Sequence, residues 1–550
     1  MAPGMVVAVS GDDEPWLEAM PLKGEGQLAI ARRLCGSADA APALVTANGG
    51  HRMLAGMRYR VPFPLLSADL QQQLLRTLFP EDRLQVTGWT HRVDLAALRR
   101  GESLWTVADW FTGKGENFRQ LREANRLADD HLTPGAELWI PSRLLRPALQ
   151  QALPAGPEGT PADLLEYRQD AAGRYAAYRL QPGEALYSAV VVRFTGRVFA
   201  EDVNALAAEI AKRSGIDDVT DIPIGYEVKI PLDLLQAEFL PPGDPRRAEY
   251  EASLTDSNRF KNPVRAQGLA GITVVLDAGH GGADSGAQVG GVWESLYVYD
   301  IMVRVKALLE TRTAARVVPT VRDGGGFRAR EADVLPVSRA HQVLTTPPYP
   351  IADAKVGVNL RWYLANSQYR KAVAGGDGDA KKVVFLSFHA DSLHPSLRGA
   401  MIYVPSAALT AGRSSRSGDV YSARAEVREQ PAVQFSWRER LRSEGLSRQM
   451  ATRTIAAFRD RNLPVHPYKP VRERIIRQRG EFVPAVLRYN SIPAKMLVEV
   501  CNLANDEDRR LIQTRTFRQQ VAEAVVAGLL AYYGEEEVPA GAGVQVAKAR

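Results

Sequence analysis

The chain contains little cysteine: only Cys35 and Cys501 occur among its 550 residues. They lie far apart in sequence, so a structural disulfide is not expected, and two cysteines cannot build a cysteine-rich metal site. No apolar run reaches the roughly 20 residues that a membrane-spanning helix needs. Met1–Met20 also lacks the apolar core of a signal peptide, because the run from Met5 to Val9 is short and acidic residues follow it. The sequence alone therefore does not indicate an export route.

A strong charge bias is absent too. The formal net charge is +6 and the isoelectric point is about 9.1. A mildly basic protein favours anionic partners, but no basic block is interleaved with aromatic residues, as a nucleic-acid groove would require. We therefore expect no nucleic-acid partner, and a solvated surface with a small Lys/Arg excess explains the charge equally well. The length predicts roughly three or four domains of about 150 residues each.

Three segments in the first half of the chain share one pattern. Each has a Gly-Glu pair before an amphipathic helical stretch, and each ends in a short strand stopped by proline. The three repeats are Pro21–Pro62, Val93–Pro141 and Tyr178–Pro231. In the middle repeat, apolar residues at helical spacing run from Leu104 to Phe111, and a second helix is predicted over Phe118–Ala124. The pattern predicts a strand-helix-helix-strand unit.

The middle repeat resembles the LysM module, a small βααβ fold that binds glycans containing N-acetylglucosamine. The run Gly101-Glu-Ser-Leu-Trp105, Asn125, and the run from Leu132-Thr-Pro-Gly135 to Ile140-Pro141 stand where that family has them. The outer repeats are degenerate, and small spacers without glycan affinity would account for them as well. We expect a LysM-like module over residues 88–146 and degenerate ones over 1–68 and 172–236.

The remaining residues divide into a linker, a large domain and a tail. Residues 237–268 include Pro241-Pro-Gly-Asp-Pro245 and many charges, which predicts an extended linker. Residues 536–550 are rich in Gly and Ala and are predicted to be disordered. The large domain is expected over 269–535.

The large domain is predicted to have an α/β fold. Continuous apolar runs are typical of strands buried on both faces of a mixed, mostly parallel sheet with helices on both sides. Three such runs occur, at Ile272–Leu276, Lys382–Leu386 and Ala494–Val498. Helical spacing recurs between and after them, at Leu296–Leu309, Leu446–Phe458 and Glu507–Tyr533. Asn505 is the expected N-cap of the last helix. The fold class is therefore α/β, preceded by small α+β modules.

Polar residues follow the predicted strands where each one ends. His280 comes shortly after the first strand, His389 after the second and Glu499 at the end of the third, while Glu294 opens the next helix. Ligands of open α/β sheets gather at the carboxyl ends of strands. Two imidazoles and one carboxylate can bind zinc and leave a position for water, whose pKa the ion lowers toward about 7. Another carboxylate can then transfer the proton.

The order of these residues and their local strings strongly resembles the bacterial zinc-dependent N-acetylmuramoyl-L-alanine amidases, over about 271–533. The strings are Val-Val-Leu-Asp-Ala-Gly-His280, then Glu294, Ala365-Asn366, Leu-Ser-Phe-His389-Ala-Asp and Leu-Val-Glu499. The resemblance implies that His280, Glu294 and His389 bind Zn²⁺ and that Glu499 is the catalytic acid/base. It also implies hydrolysis of the amide bond between N-acetylmuramic acid and L-alanine in peptidoglycan, during cell-wall remodelling or daughter-cell separation.

The same resemblance implies a place in the cell envelope, periplasmic or secreted, with peptidoglycan as the partner and a protein activator left open. Two departures concern the surroundings of the site: Ser295 replaces the usual Lys, and Val500-Cys-Asn502 replaces the usual aromatic residue and Ser-Asn. Related enzymes can carry a blocking segment between the second zinc His and the catalytic Glu. We hypothesise that residues 407–440 gate the cleft; a disordered insertion is the alternative.

Two other functions stay open at this point. One is a non-catalytic or autoinhibited peptidoglycan-binding protein, and the other is a zinc peptidase of related fold. Asp277 and Asp391 are candidates for orienting the imidazoles, with strand-end hydrogen bonding as the alternative. Cys501 is expected to be a packed residue and not a nucleophile. His394 is expected to face solvent. The histidines with no metal-like context are His51, His91, His131, His341 and His466.

Overall fold

The computed structural model describes residues 6–9, 15–22, 25–50, 57–85, 88–93, 102–125, 127–142, 144–150, 164–181, 183–375, 378–410, 412–478 and 480–534. The predicted tail and His51 lie outside these ranges. The chain forms two compact units. The first comprises residues 1–164, 179–185 and 220–227, and the second comprises 165–178, 186–219 and 228–550. No helix within the described ranges is both long and apolar enough to cross a membrane.

The first unit contains two strand-helix-helix-strand modules. Its strands are β1 (Val6–Val9), β2 (Pro15–Ala19), β3 (Tyr59–Pro62), β4 (Arg83–Gln85), β5 (Gly88–Arg92) and β6 (Glu137–Pro141). Its helices are α1 (Gln27–Cys35), α2 (Ala41–Ala47), α3 (Ala68–Leu78), α4 (Leu104–Thr112), α5 (Phe118–Ala124) and α6 (Pro147–Gln150). Each module has an antiparallel sheet, β1-β2-β3 or β4-β5-β6. The two helices predicted in the middle repeat are confirmed as α4 and α5.

Asn125 ties the end of α5 to β6. Its Nδ2 donates to the carbonyls of Leu121 and Trp139 at 2.8 and 2.7 Å, and the Trp139 N–H donates to its Oδ1 at 2.7 Å. One amide side chain thus satisfies both a helix terminus and a strand. Asn125, which stands where the LysM family has it, therefore has a structural role in this repeat.

His91 forms a buried ionic cluster beside the same sheet. Its Nδ1 lies 2.9 Å from Asp82 Oδ2 and its Nε2 lies 2.9 Å from Glu102 Oε2. Burial by itself would lower the pKa of His91, but the two carboxylates raise it to about 9. The imidazole is therefore charged at neutral pH and holds two buried acids together.

The second unit begins with most of the third repeat. Its strands are β7 (Glu166–Asp170), β8 (Gly173–Arg179) and β9 (Glu227–Pro231), in one sheet. Its helices are a π-helix over Leu186–Thr195 and α7 (Ala200–Ser214). The strand-helix-helix-strand order is that predicted for the repeats.

The predicted extended linker is wrong for much of its length. Residues 245–258 form a helix, α8 (Pro245–Asn258), whose N-cap Asp244 accepts a hydrogen bond from the Arg246 N–H. An N-cap aspartate followed by proline is a helix start signal, so this Pro-rich stretch begins a helix. Ser257 of α8 is fully buried, and a Cβ at Gly445 would lie 2.1 Å from its carbonyl oxygen. The segment is therefore packed onto the large domain.

The large domain holds the remaining elements. Its strands are β10 (Thr273–Ala278), β11 (Gln288–Val289), β12 (Val292–Trp293), β13 (Arg316–Pro319), β14 (Val321–Arg322), β15 (Gln342–Val343), β16 (Tyr349–Pro350), β17 (Val383–His389), β18 (Met401–Tyr403), β19 (Arg413–Ser415), β20 (Ala432–Gln434), β21 (Val471–Arg472), β22 (Ile475–Arg477), β23 (Gly480–Phe482) and β24 (Ala494–Glu499). Its helices are α9 (Glu294–Arg312), α10 (Ala354–Gly375), α11 (Asp419–Ser422), α12 (Ala425–Glu429), α13 (Trp437–Asp460), α14 (Ala485–Arg488), α15 (Asp506–Gln513) and α16 (Arg515–Tyr532).

A six-stranded mixed sheet forms the centre of this domain, in the order β13-β10-β17-β24-β18-β21. The first four strands are parallel, and β18 runs antiparallel to β24. The three predicted apolar runs are confirmed as the adjacent strands β10, β17 and β24. Helices flank the sheet: α9, α13 and α16 pack together, and α10 contacts β10 and β17. The carboxyl ends of the three central strands therefore meet at one edge.

The last predicted helix is two helices in the structure. Asn505 caps α15 as expected, because its side chain accepts from the Glu507 and Asp508 N–H groups. The chain then becomes extended at Thr514, whose side chain caps α16 by accepting from the Phe517 N–H. Thr514 therefore ends α15, and its side chain caps the first turn of α16.

Candidate active site

Three of the four predicted site residues converge at the carboxyl edge of the sheet. Within the described residues, His280, Glu294 and His389 are the only group of His, Cys, Asp or Glu side chains close enough to hold a metal ion, with their ligand atoms within 4.8 Å of one another. Glu294 Oε2 lies 3.3 Å from His280 Nε2, and its Oε1 lies 3.0 Å from His389 Nδ1. These residues follow β10, open α9 and end β17, so the sheet edge places all three.

Glu294 is the buried centre of this group. Its carboxylate accepts hydrogen bonds from the backbone N–H groups of Ala287 at 2.9 Å and Ala390 at 3.0 Å. Burial by itself would raise the pKa of Glu294, but His280 and His389 beside it lower it well below its usual range. The side chain is thus held as an anion, as a metal ligand must be.

Small residues allow the three side chains to approach. A Cβ at Gly279 would lie 2.3 Å from the His389 ring, and one at Gly286 would lie 2.5 Å from the Glu294 carboxylate. His280 itself has a φ of 61°, which is uncommon for a residue other than glycine. The glycines around His280 are therefore required by close contact as well as by the turn.

Asp284 orients the first histidine. Its Oδ2 lies 2.9 Å from His280 Nδ1, which leaves Nε2 directed toward Glu294. Burial would lower the pKa of His280, but Glu294 and Asp284 raise it to about 10. A carboxylate on the far nitrogen of a ligand histidine fixes the ring and raises its basicity.

Arg361 of α10 stabilises the turn that contains His280. Its guanidinium is buried and donates to the backbone carbonyls of Ala278 and His280. These contacts hold the backbone on both sides of Gly279, where His280 takes its unusual conformation. A charged donor thus satisfies two buried acceptors at the turn that carries His280.

Glu499 stands next to this group as the fourth predicted residue. It is the register partner of His389 in the pairing of β24 with β17. The carboxylate is 5% exposed and hydrogen bonds to the Asp391 backbone N–H, and Oε2 has no partner within the described residues. Burial, Asp391 and Glu294 together raise the pKa of Glu499 well above its usual range. It is a buried carboxyl group with one free atom, able to hold and pass a proton.

Comparison with known families agrees with this geometry. Residues 274–531 match the family described as N-acetylmuramoyl-L-alanine amidase, and residues 98–141 match the LysM domain. The chain contains an amidase domain and a LysM domain. The N-acetylmuramoyl-L-alanine amidase AmiA of Salmonella typhimurium is 27% identical over 290 residues, which cover 52% of this chain and 83% of that protein.

Two further proteins are similar to about half of this chain. AmiA of Escherichia coli is 27% identical over 289 residues, covering 51% of this chain and 82% of that protein. The crystal structure of the N-acetylmuramyl-L-alanine amidase Ami1 from Mycobacterium smegmatis aligns at 20% identity with a TM-score of 0.30, covering 48% of this chain and 98% of that one.

The two aspartates considered as histidine partners in the amidase domain have other contacts. Asp277 accepts hydrogen bonds from Thr320 and Ser387, so strand-end hydrogen bonding is its confirmed role. Asp391 gives its backbone N–H to Glu499 and accepts the Leu503 N–H on its carbonyl. Asp284 is the partner that sequence reasoning missed, although its position four residues after His280 was a usable signal. Arg361 had no local signal, because it is 81 residues from His280 in the chain.

Cys501 and His394 of the amidase domain have defined surroundings in the structure. Cys501 is 2% exposed, and burial raises the pKa of its thiol well above its usual range, as expected for a packed residue. Neither it nor Cys35 forms a disulfide. His394 is half-buried: one face of its ring stacks on Tyr187 with centroids 4.9 Å apart, and its two side-chain hydrogen bonds, to Ser396 and Asn204, lie at the surface.

The segment at 407–440 packs beside α10. Tyr363 Oη donates to the Pro431 carbonyl at 2.7 Å, and Ser367 Oγ donates to Glu429 at 2.7 Å. Thr346 donates to Glu426 from both its backbone and its hydroxyl. The described part of the segment forms β19, α11, α12 and β20, so the disordered insertion is wrong. The gating hypothesis stays a prediction, and none of the hydrogen bonds above involves one of the four candidate site residues.

Proposed function

We propose that this chain is a zinc-dependent peptidoglycan hydrolase that cleaves the amide bond between N-acetylmuramic acid and the L-alanine of the stem peptide. The observation that carries the proposal is the approach of His280, Glu294 and His389 within 4.8 Å of one another, with Glu499 in register beside them. All four lie inside the segment that matches the amidase family.

The donor set fits zinc. Two imidazoles and one carboxylate are a ligand set of catalytic zinc sites, which keep a further position for water. His280 would offer Nε2, because Asp284 occupies its Nδ1. When bound, zinc would polarise the scissile carbonyl and lower the pKa of a water molecule toward about 7. Glu294, whose anionic form is favoured, would contribute the negative ligand.

Glu499 would move the proton. A carboxyl group with a raised pKa is suited to both accept and donate a proton near neutral pH. Its Oε2, which has no partner within the described residues, is free to contact the attacking water and then the leaving L-alanine nitrogen. Its other contact, with the Asp391 N–H, holds the side chain in place. Burial would exclude competing bulk water from this transfer.

The LysM domain would hold the enzyme on the glycan. Trp105, at the start of α4, is 54% exposed and offers an aromatic face to a sugar ring. We propose the module boundaries 1–68, 88–146 and 172–236, with the catalytic domain over 269–535. The proposed site of action is the cell envelope, periplasmic or secreted, in wall remodelling or daughter-cell separation, and a protein activator is left open.

The test is product analysis on purified peptidoglycan with the wild type and Glu499→Gln. We expect the wild type to release peptides with a new L-alanine amino terminus and intact glycan strands. Glu499→Gln should retain zinc and lose release, whereas the control Glu426→Gln, another buried glutamate, should keep it. Cleavage between amino acids would support a zinc peptidase instead. Wall binding without release by the wild type would support a binding protein.

A further inference from the structure

The helices of the third repeat contact the loop that follows His389, the third predicted metal ligand. We call residues 390–397 the site loop and residues 186–214 the third-repeat helices. The His394 ring of the site loop stacks on Tyr187, with an interplanar angle of 19°. Its Nε2 lies 3.2 Å from Asn204 Oδ1, and its backbone N–H donates to the Val198 carbonyl at 2.9 Å. His394 of the site loop thus makes three separate contacts with the third-repeat helices.

The other side of the site loop is held by the chain that follows Glu499. Asn502 Oδ1 accepts the Leu393 N–H at 2.9 Å, and its Nδ2 donates to the carbonyls of His394 and Leu397 at 2.9 and 2.8 Å. His394 therefore receives contacts from Asn502 on one side and from the third-repeat helices on the other. The loop lies between these two supports.

The start of the site loop takes part in the active site itself. The Ala390 N–H donates to Glu294 at 3.0 Å, and the Asp391 N–H hydrogen bonds to Glu499. A shift of the loop would therefore change the position of a metal-ligand candidate and of the acid/base candidate together. Only two residues separate Asp391 from His394, so we expect displacement of the stacked ring to shift the contacts of both carboxylates.

A second group of contacts holds the third-repeat helices against the large domain. Arg472 of β21 donates to the Gly196 carbonyl at 3.1 Å, and a Cβ at Gly196 would lie 2.9 Å from Ile476. The Arg477 guanidinium lies 3.8 Å from the centroid of the Phe199 ring. All of these contacts are made by the turn between the π-helix and α7. Two separate attachments leave the helices little freedom to move relative to the sheet.

We propose that the third-repeat helices serve as a positioning element of the active site, with Tyr187 and His394 as positioning residues, and that anchoring to the wall is not their main role. The proposal rests on the proposed amidase function. It assigns to this degenerate repeat a role different from that of the LysM domain. The glycan anchor and the catalytic support are then separate modules.

The test compares Tyr187→Ala with Tyr187→Phe, which keeps the stacked ring. The substrates are insoluble peptidoglycan and a soluble muramoyl peptide, which needs no wall anchor. We expect Tyr187→Ala to lose about ten-fold or more in kcat on both substrates, with KM and wall pelleting unchanged. Tyr187→Phe should match the wild type. Loss only on insoluble wall, together with weaker pelleting, would overturn the proposal, as would equal kcat in all three proteins.

A readout without catalysis separates this proposal from the proposed function. Hydrogen exchange of the Ala390 and Leu393 amides should be faster in Tyr187→Ala and unchanged in Tyr187→Phe. The exposed variant Asn204→Ala, which removes one contact to His394 without touching the core, should shift exchange in the same direction by a smaller factor. Unchanged exchange in Tyr187→Ala would overturn the positioning role. A wild type that releases no peptide would overturn the proposed function and leave the exchange result intact.

Discussion

Glu499 lies directly opposite His389 in the parallel pairing of β24 with β17. Because side chains alternate along strands, register partners point to the same face of the sheet. The backbone register therefore brings the acid/base candidate to the metal-ligand candidate, with no loop needed to do so. A slip of one residue would turn Glu499 to the other face of the sheet. The register of these buried strands therefore determines whether Glu499 lies beside His389.

Asp284→Asn should weaken zinc binding. The substitution keeps the shape of the side chain but removes the charge beside His280 Nδ1, which lies 2.9 Å away. We expect zinc affinity to fall about 10- to 100-fold, the usual effect of losing such a partner. Competition with a chelator measures it. His280→Ala should lose zinc altogether, and an Asp284→Asn protein with wild-type affinity would contradict the role given to the aspartate.

Arg361→Met should disturb the same turn through the backbone. The change leaves the Ala278 and His280 carbonyls without their buried donor, which costs on the order of 1–3 kcal/mol for each group. We expect a lower melting temperature and weaker zinc binding together. Arg304 is a matched control, since it is also buried but pairs with Asp300 at 2.8 Å. Arg304→Met should lower the melting temperature and leave zinc affinity unchanged.

The candidate site residues were easier to predict from the sequence than the residues that hold them in position. His280, Glu294, His389 and Glu499 stand at strand ends and a helix start, where local patterns carry the information. The contact of Arg361 with the His280 carbonyl depends on how a helix packs across 81 residues of chain, and no local pattern records such packing.

The fold shows the same division. The strands β10, β17 and β24 follow from continuous apolar runs, whereas α8 was missed because proline and charge suggested an extended segment. Its N-cap Asp244 and Pro245 were the correct local signal. The break at Thr514 was missed because apolar spacing continues on both sides, so only the cap distinguishes two helices from one.

The stability of the first unit should fall as pH rises from about 6.5 to 9. His91 has its pKa raised to about 9 in the fold by Asp82 and Glu102, against the opposing effect of burial. Its stabilising contribution is fully present below the unfolded pKa, near 6.5, and is lost as pH rises through the folded value. The loss amounts to on the order of 3 kcal/mol. Thermal unfolding across this pH range measures it. Glu102→Gln should move the loss to lower pH, and a flat profile in the wild type would contradict the charged cluster.

Deleting most of the segment 407–440 tests the gating hypothesis directly. Because Tyr363 and Ser367 of α10 bond to this segment, we expect the deletion to lower the melting temperature, and the gating hypothesis predicts faster peptide release. The milder variant Glu426→Gln weakens its bonds to Thr346 and should leave release unchanged. A deletion that folds and releases peptides no faster than the wild type would contradict a gate.

Trp105→Ala should weaken binding to insoluble peptidoglycan. The side chain is 54% exposed at the start of α4 in the LysM domain, and a Cβ at Gly115 would lie 2.1 Å from its ring, so the ring rests on a glycine. An exposed ring held in this way can stack on a sugar at little entropic cost. Trp437 is the control, since it is 47% exposed but opens α13 of the amidase domain. In pelleting assays Trp105→Ala should bind the wall several-fold less tightly, and Trp437→Ala should bind like the wild type. Release from a soluble muramoyl peptide should be unchanged in both, because the soluble substrate does not need an anchor. If Trp105→Ala pellets like the wild type, the glycan is held elsewhere on the chain.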